Sequence, residues 1–245
     1  MDIAHNLNNF RSHSFAFDEI FIKSEEAVTS CPFLNQMKYF LSLVGNGIEL
    51  NERHLPRETI DLFCKEYENN SLMVPGSYFE EGAYMCATRV KNVALDCSLV
   101  SLDNNTMTIT AKGKWFLGMS DPHQFIFLLD QYGMEHHIGF YDRYKGGEFI
   151  QAMFLTFLSI IIFSEKPVTL REMCNLLHEK YPSFKNLIRD GLTAQYGEDK
   201  KELFIEIVQL RIIKRFFGLF NLIENDKEFL KPSQLLLQIL PKADK

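Results

Sequence analysis

Leu99–Leu117 reads LVSLDNNTMTITAKGKWFL, and a similar pattern returns at Leu219–Leu237 as LFNLIENDKEFLKPSQLLL. In the first copy Leu99–Leu102 is a short apolar run suited to a strand, and Asp103–Asn105 are turn residues that tolerate left-handed backbone. Met107–Ile109 reads as the returning strand, and Thr110 stands where an N-cap is expected, ahead of a helix carrying Trp115 and Phe116. Aligned on their leucines, Leu99 matches Leu219 and Leu102 matches Leu222, 120 positions apart. Beyond the turn Ile109 matches Leu230 and Ala111 matches Pro232, 121 apart, which implies one extra residue in the second turn.

Outward from the first hairpin, Phe33, Met37, Phe40, Leu41 and Val44 recur at helical spacing behind Pro32, and Gly45–Gly47 stops that helix. Ile48–Leu50 is short and extended. Pro56 opens a helix through Ile60, Phe63 and Cys64 that ends near Tyr67, and a further helix is expected from Glu80 to Ser98, with Cys86, Val90, Val93 and Cys97 on one stripe. Helix, short strand, helix, helix, hairpin is the order of a winged helix. The second half repeats it: an apolar helix Glu148–Phe163, an extended Lys166–Thr169, a helix opened by the capping box TLRE, a long helix Lys201–Phe217, then the second hairpin. The expected fold is mainly α with small β-hairpins, arranged as two winged-helix-like modules in tandem. Residues 1–31 form an N-terminal arm, 32–120 the first module, 121–147 a connecting helix and linker, and 148–245 the second module.

Gly47, Ile48, Leu50, Leu55 and Pro56, followed by Leu99, Ile109, Thr110 and Gly113, resemble segments of uncharacterised bacterial proteins with a winged-helix pattern. Those carry a helix–G-[IV]-x-L-[TN]…L-P element ahead of a G-L-[IV]…[LI]-T-x-x-G wing. Asn51 and Ser98 stand where Thr and Gly are usual. The resemblance implies a fold and no activity.

The 245 residues carry a net charge of −6, with 46% hydrophobic and 24% charged residues, a balance that excludes wholesale disorder and gives no general attraction to polyanions. Phenylalanine is abundant at 22 residues against a single tryptophan, so aromatic cores are expected. Trp115, Phe116, Phe125, Phe127, Phe216, Phe217 and Phe220 could also supply an interface, with core the expected use of most of them. The five cysteines form no C-x-x-C pair and fall mostly at apolar positions, as buried free thiols in a reducing compartment would. The opening residues MDIAHNLNNFRSHSF lack the basic start and apolar core of a signal peptide. The most apolar stretch, Glu148–Phe163, is shorter than the roughly 20 residues a membrane span needs. A cytoplasmic protein without membrane contact is expected.

No catalytic signature emerges, and the protein is not expected to be an enzyme. There is no G-x-S-x-G, and the GNG and GG dipeptide runs lack the following Lys-Ser/Thr of a phosphate loop. Glu25–Glu26 and Glu80–Glu81 read as solvated helix starts. His136 and His137 are adjacent, so on a helix they cannot both face one metal ion. No metal or cofactor is expected.

The expected role is a non-enzymatic DNA-binding or transcription-associated regulator with double-stranded DNA as partner, because winged helices commonly place the third helix in the major groove. The residues available for it are Arg89, Lys91 and Asn92 on the third helix of the first module, Lys112 and Lys114 beyond its wing, and Arg211, Lys214 and Arg215 in the second module. Both wing tips are acidic, and the long helix of the second module is apolar on two sides, with Leu203, Ile207, Leu210 and Phe217 on one and Ile205, Val208, Ile212 and Phe216 on the other, which points to burial on both. A protein-interaction or dimerisation scaffold, with a second copy of the chain or another protein as partner, is the alternative.

Overall fold

A computed structural model describes residues 28–29, 31–45, 47–52, 54–67, 85–134, 153–164, 166–180, 200–226 and 229–239. The arm expected over 1–31 falls almost wholly outside these ranges. So do His136, His137, the linker to residue 147 and the segment that follows Pro182. The protein is mainly helical, with two small three-stranded antiparallel sheets, and divides into two compact units, one lying within Thr29–His136 and the other holding the described residues beyond 137.

In the first unit α1 spans Pro32–Val44 with proline in its first turn, and buries Phe33, Met37, Phe40, Leu41 and Val44. Gly45, at φ +44°, ends it by donating its N–H to Leu41 O, a left-handed position that glycine takes without a Cβ clash. β1 (Ile48–Glu49) follows, then α2 (Arg57–Tyr67) and α3 (Met85–Asp96). Cys86, Val90, Val93 and Cys97 are all buried, as their spacing demands. β2 (Val100–Asp103) and β3 (Thr106–Ile109) form the hairpin, and β3 also pairs with β1 through Ile48–Met107. Asn104 and Asn105 both have positive φ (45° and 66°), the geometry of the two-residue hairpin turn that matches strand twist.

After the hairpin come α4 (Ala111–Leu117) and α5 (Asp121–Met134). α5, the expected connector, packs within this first unit. Lys38 Nζ meets Asp121 Oδ1 at 2.7 Å, Phe33 packs edge-on to Tyr132, and Gln124 Nε2 donates to Phe116 O at 2.8 Å. Phe33, Phe40, Phe63, Phe116 and Phe125 are fully buried, each contributing about 1.5–3 kcal/mol from removal of its ring from water.

The second unit runs α6 (Phe154–Phe163), β4 (Val168–Thr169), α7 (Leu170–Lys180), α8 (Lys200–Val208), a π-helical stretch Gln209–Phe217, β5 (Ile223–Asp226), β6 (Phe229–Pro232) and α9 (Gln234–Ile239). Its sheet order, β4-β6-β5, parallels β1-β3-β2 of the first unit. The capping box forms as read: Thr169 N–H donates to Glu172 Oε2 at 2.8 Å, and Glu172 N–H to Thr169 Oγ1 at 3.1 Å. Arg171 and Glu202 make a paired contact at 2.6 and 2.7 Å between α7 and α8. Of the two apolar sides of the long helix, Ile205, Val208, Ile212 and Phe216 are all buried on one, while on the other Phe217 is buried, Ile207 half-buried and Leu210 exposed. Wider π turns bring Ile212, Ile213, Phe216 and Phe217 to the core together.

The two hairpins match at one separation, 123 positions, with no extra residue in the second turn: Met107 in β3 corresponds to Leu230 in β6, each facing the short strand β1 or β4. The leucine alignment is therefore three positions early. Leu219 still belongs to the turn that leaves the π helix, and the true partner of Leu99 is Leu222. Each donates the same closing bond, Leu99 N–H to Ala94 O and Leu222 N–H to Phe217 O, both 2.8 Å. The residue before each is left-handed, Ser98 at φ 57° and Asn221 at φ 53°.

Candidate functional site

The residues expected to touch a nucleic acid divide sharply by burial. Arg89 and Lys91 on α3 are more than nine-tenths buried, and so is Arg215 in the π-helical stretch. Spacing explains this. Arg89 lies three residues after Cys86 and four before Val93, on the buried stripe, and Lys91 lies between Ala87 and Ala94, both fully buried. Asn92 and Arg211 are half-buried. Lys112, Lys114 and Lys214 remain exposed. α3 thus does not present a basic face, and only Lys112 and Lys114 stand close together in sequence and on one short helix.

Arg89 carries a further mark. Its Nη1 is buried without a hydrogen-bond partner among the described residues, as are both amide atoms of the fully buried Gln36. The Cys86 thiol, one helical turn from Arg89, is pushed up by burial, and the Arg89 charge opposes that rise without cancelling it. Burial likewise pushes Cys31 up to about 12. Neither is an activated thiol, since the nucleophile is the thiolate. Tyr67 is raised to about 12, by burial first and then by the charge of Glu66. Among the described residues no group of three His, Cys, Asp or Glu side chains could hold a metal ion, and none of the helices there is long and apolar enough to cross a membrane.

The feature that sequence reasoning assigned mostly to the core is Trp115. It is 60% exposed, whereas Phe116, Phe125, Phe216, Phe217 and Phe220 are fully buried. α4 is short and is anchored by Gly113 and Phe116 below, so its remaining positions face outward. Trp115 stands edge-on to Phe127 at 6.2 Å, and Phe127 leans on Phe116 at 5.5 Å. Lys112 Nζ lies over the same Phe127 ring, 5.1 Å from its centre, and reaches Gln131 Oε1 at 3.5 Å. The signal in sequence was the helix length: in AKGKWFL only one large residue can face inward when its neighbour does not.

Comparison with protein-family models, with curated proteins and with solved structures finds no match for this chain.

Proposed function

We propose that this chain is a non-enzymatic binding protein built from two winged-helix-like modules, working through protein–protein contact in a reducing, cytoplasmic setting. The burial of Arg89 and Lys91 carries the reading, because it removes the cations of the helix that would enter a major groove. Of the cations expected to touch a nucleic acid only Lys112, Lys114 and Lys214 are left fully exposed, a poor phosphate-binding set on a chain of net charge −6. The exposed aromatic at Trp115 is the composition that protein interfaces favour. Five free, buried thiols suit the reducing setting.

The test is fluorescence anisotropy with a labelled duplex of mixed sequence at about 50 mM salt, where even non-specific contacts are strong. No saturable binding is expected. Saturable binding that weakens steeply as salt rises would restore duplex DNA as the partner and overturn the proposal.

A further inference from the structure

We infer that the outer face of α4 is a docking surface for an acidic protein segment bearing a large apolar side chain, an inference that rests on the protein-binding reading above. Only Gly113 and Phe116 of this helix are buried, so Lys112, Lys114, Trp115 and Leu117 are all exposed, Trp115 lying one turn after Lys112 and next to Lys114. The indole is held in place by its edge contact with Phe127, which is itself braced by Phe116. A side chain already fixed in this way loses little freedom when a partner covers it, and a rigid tryptophan is the commonest kind of binding anchor.

Charge selects the occupant. The chain as a whole is at −6, yet α4 carries two lysines and no carboxylate. Lys114 makes no ion pair among the described residues. Among the described residues Lys112 makes only the long contact to Gln131, whose amide also reaches Asp130 Oδ2 at 3.3 Å, and the one to the ring of Phe127, and a direct carboxylate would improve on both. A carboxylate at each lysine and an apolar side chain on the indole would satisfy all three groups at once. A nucleic-acid strand offers the indole a base, but two lysines neutralise only about two phosphates.

Trp115 is the sole tryptophan of the chain, so its emission reports this surface alone. Three probes are titrated against the full chain: a peptide of Glu and Leu with a central Phe, the same peptide with Lys in place of Glu, and a single-stranded oligothymidine. The acidic peptide is expected to shift the emission to the blue and to shield it from acrylamide, saturably and below about 1 mM. In the double variant Lys112→Glu/Lys114→Glu, with unchanged circular dichroism, binding should weaken roughly tenfold, the scale of two exposed ion pairs turned repulsive.

An acidic peptide that leaves Trp115 unmoved at about 1 mM, or binds the double variant equally well, overturns the inference. If the basic peptide moves the emission equally, the acidic preference fails while the protein-binding reading stands. If the oligothymidine alone moves it, both fail.

Discussion

Thr110 and Ser233, 123 positions apart, share three corresponding hydrogen bonds in the two units. Thr110 N–H donates to Leu99 O at 3.0 Å and its hydroxyl to Ser98 O at 2.6 Å, while the hydroxyl oxygen accepts from Gly113 N–H at 3.0 Å. Ser233 donates to Leu222 O at 3.0 Å and to Asn221 O at 2.6 Å, and accepts from Leu236 N–H at 3.0 Å. One hydroxyl in each unit ties the end of the third helix to the start of the helix after the hairpin, and so closes the hairpin at its base.

Thr110→Val and Ser233→Ala should each destabilise their own unit by about 1 kcal/mol, the usual cost of a lost N-cap, with part of it from the carbonyl left unpaired. Thr110→Ser should be nearly neutral. Urea unfolding followed by Trp115 emission reports the first unit, while far-ultraviolet circular dichroism reports both, so only Thr110→Val should move the fluorescence midpoint. A fluorescence midpoint that moves equally for Ser233→Ala would show that the clasps are not local.

Ser98 sits at φ 57°, where a Cβ crowds the following carbonyl. Ser98→Gly should stabilise the first unit by about 0.5 kcal/mol, the steric relief exceeding the extra chain entropy of glycine. Asn221, at φ 53°, tolerates this backbone better, so Asn221→Gly should gain less. The urea midpoints of the two variants, by fluorescence and by circular dichroism, check the order.

Gly113 is the most tightly enclosed of the described glycines. A Cβ there would lie 2.1 Å from Leu99 O and 2.8 Å from Ile109 Cγ2, so the backbone must shift to admit it. Gly113→Ala should cost about 1–3 kcal/mol, as overpacking does, and lower the fluorescence midpoint without abolishing the circular-dichroism signal of the second unit. An unchanged midpoint would mean that α4 moves freely against the hairpin.

The first hairpin, the Thr110 cap, the Thr169–Glu172 box and the stop at Gly45 were legible because each is set by a few neighbouring residues. What the sequence concealed depends on the third dimension. Arg89 and Lys91 read as solvent-facing cations until their three- and four-residue spacing from Cys86, Val93, Ala87 and Ala94 is weighed. The π turns at Gln209–Phe217 have no local marker, and they alter which side of that helix meets the core. Aligning apolar residues misplaced the second hairpin by three residues in its first strand and two in its second, because the left-handed Ser98 and Asn221 define the correspondence more firmly than the apolar residues do. Trp115 looked like a core aromatic because its neighbour Phe116 is one.

Glu172 gives a pH-dependent prediction for the second unit. Its carboxyl is held below its ordinary value of 4.5, chiefly by the Thr169 N–H and then by the Thr169 hydroxyl. The folded state therefore holds this proton less tightly than the unfolded chain does. The resulting stabilisation is present above about pH 4.5 and is lost as the pH falls through the lower, folded value. Glu172→Gln keeps an acceptor for the cap but has no charge to lose. Thermal melts by circular dichroism should show the native chain more stable than the variant at about pH 7, with the gap closing below about pH 4.5. A gap that persists unchanged in acid would place its origin in the shape of the cap, with no contribution from the charge.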